Sequence, residues 1–344
     1  MGTVTQSCVW WPGLVESPGV PHDEALILKG PQPVTMRPLP VGEVSQGKPP
    51  AGAPQPPVVP ATKERIEVVR TATAWSRQPF RPPTALYKNA DVEIEHQDLH
   101  GRQPFYHRNT EVDEISYQVS GVRQLITDIG TVDLEPGDFV RIPVGVVHDN
   151  WCREDIHLLF YVVAPVEFVG PAEKTSTVHE FRAWAPAVVP ERVSARGGAF
   201  TVLVDEKDLL SGAAWDPRKL EVAHVPQSPA TSGSRWIYRS TALWLGQAQS
   251  LRDAGTAYRR NLNFDEVQVQ LNGTRTLVTE LGCVELAAGD FARIPAGIAY
   301  ASINGACSYL RVCSAKPLER TVEATAFSEI LSPEHIRALR ERQD

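Results

Sequence analysis

Two histidines, His107 and His148, are the residues of this chain best placed to do chemistry, because they occur in only one copy of a pattern written twice. The first copy runs through Gly101, His107, Asn109, Glu114 and Gly121, then Gly137, Pro143, Gly145, His148 and Asn150. Adding 152 to each number gives the second copy without a gap. Tyr106-His107-Arg108-Asn109 faces Tyr258-Arg259-Arg260-Asn261, and Asp113-Glu114 faces Asp265-Glu266. Gly137-Asp138-Phe139 faces Gly289-Asp290-Phe291, and Arg141-Ile142-Pro143 faces Arg293-Ile294-Pro295. About 20 of the 45 positions from 106 to 150 are identical in this register, so the chain carries two related modules. In the second, His107 has become Arg259 and His148 has become Tyr300. Imidazole is a common ligand for divalent metals. The asymmetry therefore predicts a metal site in the first half and a structural or partner role for the second.

Side chains alternate across an extended strand, so His107 and Asn109 share a face while His148 must arrive from another strand. The surrounding sequence offers such strands. IEVVR (66–70), DVEIE (91–95), EISYQV (114–119), QLITDI (124–129), FVRIP (139–143) and HLLFYVV (157–163) are short runs rich in β-branched and aromatic residues. Turn signals such as Ser120-Gly121 and Pro136-Gly137-Asp138 separate them. FTVLV (200–204), ALWLG (242–246), EVQVQL (266–271), RTLVTEL (275–281), FARIP (291–295) and SYLRV (308–312) repeat the theme. Only the C-terminus reads as helix, with Ser332 as N-cap, Pro333 in the first turn, and Ile336 and Leu339 at helical spacing.

Many short strands, written twice, predict an all-β chain of two tandem jelly-roll barrels. The expected organisation is a proline-rich N-terminal arm over 1–62, then a first barrel with the metal site over 63–168. A connector over 169–198, a degenerate second barrel over 199–325 and a C-terminal helix within 326–344 complete it. In the arm, PPAGAPQPPVVPA (49–61) reads as extended polyproline conformation, and Ala25-Leu26-Ile27-Leu28 as a short strand that pairs elsewhere. Such an arm suits wrapping a neighbouring module or subunit, which makes a homo-oligomer an expectation.

Composition narrows the function. At 344 residues, 42% of them hydrophobic, the chain can build about two ordinary cores. A net charge of −7 with no basic block argues against nucleic-acid binding. No apolar run approaches a membrane span, and the N-terminus lacks the charged start and apolar core of a secretory signal. The five cysteines (Cys8, Cys152, Cys283, Cys307, Cys313) have no metal-type spacing and read as thiols in a reducing cytoplasm.

Position by position, residues 101–150 resemble the two-part metal-site pattern of the cupins. Gly101, His107, Asn109, Glu114 and Gly121 match the first part; Gly137, Pro143, Gly145, His148 and Asn150 match the second, with the final Asn one place early. Residues 253–302 resemble a degenerate version. The resemblance implies His107, Glu114 and His148 as metal ligands. Asn109 stands where many cupins have another histidine, and an amide is a poor ligand for a divalent transition metal. Two histidines and one carboxylate with open positions suit Fe(II) and oxygen chemistry, while Zn(II) or Mn(II) would fit the same donors. Glu111 and Asp113 compete with Glu114, because strict alternation puts both on the His107 face. The spacing from Glu114 to Gly121 favours Glu114.

In the second copy, Arg259 would lie near Glu266 and neutralise that buried acid, with Tyr300 in the His148 position and a packed, empty barrel as the result. Arg108, Asn109, Asp138 and Arg141 occur in both copies, which points to shared structural jobs. Arg108 or Arg141 would also suit a substrate carboxylate. His96, His100, His157, His179 and His224 read as ordinary surface or core histidines.

Phe105-Tyr106-His107-Arg108-Asn109 resembles the Tyr-His-Arg-Asn stretch of homogentisate dioxygenases, although Glu114 lies one residue further along here. The run from Glu114 to Gly121 resembles the strand after the metal-binding glutamate of 3-hydroxyanthranilate dioxygenases. Some of those also pair a working barrel with a dead one. The resemblance implies an Fe(II)-dependent, extradiol-type dioxygenase that opens a hydroxylated aromatic ring (homogentisate-, gentisate- or aminophenol-like) with O2. Phe105, Tyr106, Tyr117, Phe139 and Trp151 are the candidate pocket aromatics, and Asn109, Arg141, Asp149 and Asn150 the candidate supporting polar groups. The rival is a metal cupin that needs no oxygen, such as an isomerase, decarboxylase or lyase. A non-catalytic binding protein is the second rival.

Overall fold

The computed structural model describes residues 65–73, 80–178, 183–195, 197–255, 257–261 and 264–342, together with the backbone of strands Cys8–Pro12 and Asp23–Leu28. The polyproline stretch 49–61 lies outside the described residues. The expected arm strand is present: Asp23–Leu28 pairs antiparallel with Ala257–Asn261, Ala25 standing opposite Arg259.

The architecture is all-β, as expected. A 12-stranded sheet forms around the first module, and a 7-stranded and an 8-stranded sheet form around the second. In the first, Asp113–Thr127 pairs with Val147–Val162 over most of its length, and register slips between Cys152 and Asp155 and between Ile156 and His157. Such bulges bend a strand, so a single long strand can line two walls of a barrel. The duplication holds in the pairing itself. Glu114 stands opposite Tyr161 and Ile142, and Glu266 opposite Cys313 and Ile294.

The two modules exchange strands. Glu67–Arg70 lies within the span expected for the first barrel yet pairs with Asp290–Ile294 of the second. Glu221–His224 lies within the span expected for the second and pairs with Asp138–Ile142 of the first. The tails cross as well, Glu167–Phe168 onto Tyr238 and Arg239, and Glu319–Arg320 onto Tyr87 and Lys88. Between the modules lies a shared apolar core. Ile94, Ile115, Tyr117, Phe139, Leu158 and Phe160 from one side meet Leu245, Val267, Val269, Phe291, Leu310 and Val312 from the other. At roughly 1.5–3 kcal/mol for each large side chain removed from water, that layer is a major part of the stability.

The C-terminal helix spans Pro333–Glu341, with the Ser332 hydroxyl accepting from the His335 amide at 3.2 Å. One helix has no counterpart in the sequence reading, the short Glu206–Leu210 turn capped by Asp205. At five residues it is too brief to show periodicity. Cys152, Cys283, Cys307 and Cys313 are buried free thiols. Among the described residues, no helix is long and apolar enough to cross a membrane.

Candidate metal centre

Three strands bring His107, Glu114 and His148 together. His107 lies on Tyr106–Asn109, and His148 opens Val147–Val162 directly opposite it. Glu114 starts the strand on the other flank. One donor atom from each lies within 4.8 Å of the others. The imidazole rings are 5.1 Å apart at 62°, and His148 Nε2 is 3.4 Å from Glu114 Oε2. Asn109 is not among the three, but its Nδ2 donates to Glu114 Oε2 at 2.9 Å and so orients the carboxylate.

The electrostatics suit a cation. Burial, with His148 adding to it, pushes His107 down to about 4; burial pushes His148 to about 4 as well. Both imidazoles are therefore neutral at pH 7, the state a metal requires. Burial raises the Glu114 carboxyl despite the attraction of His107 and Arg123. A carboxylate that is only 2% exposed, facing two neutral imidazoles, is a costly arrangement unless a positive charge joins it. The donor set and its unmet charge fit a divalent ion.

The second barrel shows the alternative solution. Glu266 accepts from Arg311 Nε at 2.7 Å and Nη2 at 3.1 Å, from Asn261 at 2.5 Å, from Gln268 at 2.9 Å and from the Tyr300 hydroxyl at 3.1 Å. Burial opposes its ionisation, but the Arg311 guanidinium and these donors outweigh it and hold the carboxyl below its usual range. The expected guanidinium–carboxylate pair therefore exists, but not through Arg259, which is exposed. Its source is Arg311, which occupies the place of Leu159 one strand away. Trp236 and Trp244, with ring centroids 5.7 Å apart, pack beside it, the Arg311 guanidinium lying 5.0 Å from the Trp236 ring.

Of the competing carboxylates, Glu111 is exposed. Asp113 is occupied by Arg141 at 3.2 Å and by the amides of Val144 and Val166, both at 3.0 Å. Asp265 repeats that arrangement with Arg293, Ala296 and Leu318. Arg141 thus has a structural job, which Arg293 repeats in the second barrel. Arg108 is likewise committed, to Glu191 at 2.6 Å and to the Gly145 carbonyl at 2.9 Å. Tyr117 and Phe139, rings 4.5 Å apart, face the core between the modules and not the centre. Tyr106 points away too, its hydroxyl donating to Glu206 at 2.8 Å. Asp149 is buried against Arg102. Asn150 accepts from Arg123 at 3.1 Å, and the half-buried Trp151 follows it on the opposite face of the strand.

Several residues near the centre were not read from the sequence. Arg123, 1% exposed, donates to Ser116, Gln118 and Asn150, as Arg275 does to Gln268, Gln270 and Ser302. Its retention in both copies was the available signal. Glu95 stands opposite Leu159, which stands opposite Ser116, so Glu95 shares the sheet face of Glu114. Burial, then Glu93 and Glu114, raise its pKa to about 7. The connector also contributes: Val188–Ala195 runs parallel to Tyr106–Asn109, and Ser194 Oγ lies 3.0 Å from His107 Nε2. Proline-flanked and short, that segment resembled a linker. His157 is fully buried with Nδ1 at 2.6 Å from Asp155. His224 joins a second cluster with Glu135 and Asp138, but Lys174 Nζ already sits 2.6 Å from Asp138.

No family model matches the chain, and no curated protein does. Among solved structures, it is similar to a cupin 2 conserved barrel domain protein from Leptotrichia buccalis, at 10% identity and a TM-score of 0.45 over 73% of this chain and 97% of that one. It is also similar to a variant of salicylate 1,2-dioxygenase from Pseudoaminobacter salicylatoxidans (12%, TM-score 0.45, 69% and 79% covered). A third is oxalate decarboxylase from Bacillus subtilis (11%, TM-score 0.43, 77% and 81%).

Proposed function

We propose that the first barrel holds one divalent metal, Fe(II) suiting it best, between His107, Glu114 and His148, and that the chain is a dioxygenase that opens a hydroxylated aromatic ring. The observation that carries this reading is the contrast between two equivalent buried acids. Glu266 has Arg311 at 2.7 Å, whereas among the described residues Glu114 has the Asn109 amide, two neutral imidazoles and only the longer-range attraction of Arg123. Bound there, Fe(II) would supply the redox chemistry by which O2 attacks the ring, since two histidines and a carboxylate leave coordination positions open. The protein's own contribution is orientation and charge. Asn109 fixes the carboxylate, Ser194 fixes the His107 ring, and the Arg123 network holds Ser116 and Asn150 in place beneath them. In an oxygen electrode, the iron-loaded protein should consume O2 with at least one member of a panel of hydroquinones, aminophenols and catechols. No uptake with any of them would overturn the dioxygenase reading.

One feature favours a second reading. Glu95, a carboxyl half-buried on the Glu114 face and titrating near 7, suits proton transfer, as an oxygen-independent isomerase, decarboxylase or lyase would need. Retention of metal with no O2 uptake is the outcome that would favour it.

A further inference from the structure

We propose that Arg192 is the specificity-determining residue of the first barrel, gripping an anionic group, a ring carboxylate, of the molecule bound at His107, Glu114 and His148. This rests on the metal reading above and adds the recognition element that the other arginines do not supply. Val188–Ala195 pairs in parallel with Tyr106–Asn109, which places Arg192 in register with His107 and Ser194 with Asn109. Residues in register present their side chains on the same face of a sheet, and the 3.0 Å contact from Ser194 to the His107 ring shows that this face is the one carrying the centre.

Arg192 is exposed, and its guanidinium carbon lies 5.9 Å from the centroid of the Phe105 ring. Phe105 stacks edge-on with Phe80, centroids 5.4 Å apart at 78°. An aromatic edge, a guanidinium and a metal triad thus converge at one end of the barrel. The neighbouring arginines are spent: Arg108 on Glu191, Arg102 on Asp149 and Glu206, Arg141 on Asp113. Among the described residues, Arg192 has no carboxylate partner. A planar fork of N–H donors beside a metal centre, with no carboxylate on it among the described residues, matches a ligand carboxylate in two-point fashion.

The second barrel supports the assignment independently. There the corresponding edge is covered by Asp23–Leu28, which puts Ala25, not an arginine, in register with Arg259. The barrel that lost its imidazoles has no counterpart of Arg192 on the strand paired with that edge.

The test uses the full chain loaded anaerobically with Fe(II) and a matched pair of probes, gentisate and hydroquinone, which differ by the carboxylate. Calorimetric titration should show wild type preferring gentisate by about tenfold or more, as expected for one charge-assisted, two-point contact. Arg192→Gln should bring the ratio of the two affinities close to one, and Arg192→Lys should leave it in between; iron content serves as the folding control. If iron binds but wild type shows no preference, fails to bind gentisate, or keeps its preference in Arg192→Gln, the anchor is wrong while the metal reading stands. If no iron binds, the metal reading fails and the anchor falls with it.

Discussion

Arg311 Nε lies 2.7 Å from Glu266 Oε1 inside the second barrel, at a point where the first barrel has Leu159 and, among the described residues, no guanidinium within ion-pairing distance of Glu114. One leucine-to-arginine difference between equivalent strands (Leu159 against Arg311) thus separates a closed ion pair from a site that calls for a cation. Replacing Arg311 by leucine leaves Glu266 buried and uncompensated. Urea unfolding should show a loss of about 3–5 kcal/mol. Adding Glu266→Gln should restore most of it. A single variant as stable as wild type would mean that the pair contributes nothing.

Glu95 gives the pH dependence. Its folded pKa of about 7 lies above the ordinary carboxylate range, so the folded protein prefers the protonated form. The associated stability is fully present below about pH 4.5 and is lost as pH rises through 7. Metal-free Glu95→Gln, which cannot ionise, should match wild type near pH 4.5 and exceed it at pH 8 by on the order of 1–3 kcal/mol. Unfolding curves at the two pH values decide this; a difference independent of pH would contradict it.

The exchanged strands predict that neither half folds alone. A fragment covering 63–198 lacks Glu221–His224, whose Val222 and Ala223 are fully buried in the first module. Its Asp138–Ile142 strand would keep an open apolar edge. Separate halves should give denatured-like amide spectra, and mixing or co-expression should recover native dispersion. A cooperatively folded 63–198 fragment would show that the exchange is dispensable.

Much of this was legible in the sequence, and the reasons differ by residue. The meeting of His107 and His148 could be read because a repeat with an offset of 152 exposes what one copy keeps and the other loses, whereas Glu114, kept as Glu266, was favoured by its spacing to Gly121. The shared job of Arg141 followed from the same comparison, and Arg293 repeats its bond; that Asp113 is its partner and not a rival ligand emerged only in the structure. Arg311 was missed because it answers Glu266 from a different strand, and local spacing does not reveal a cross-strand partner. Arg192 and Ser194 were missed because the hairpin that carries them packs beside His107 by a parallel pairing across more than eighty residues. Tyr117 and Phe139 looked like pocket aromatics because alternation says which residues share a face, but not which face meets the second barrel.

The most direct test is elemental analysis of the purified chain and three variants after loading with Fe(II) and desalting. Wild type should retain one equivalent per chain, His107→Ala and His148→Ala should each retain almost none, and Glu266→Gln, in the second barrel, should retain the full equivalent. Two equivalents in wild type, or an undiminished equivalent in His148→Ala, would contradict a single centre built on His107, Glu114 and His148.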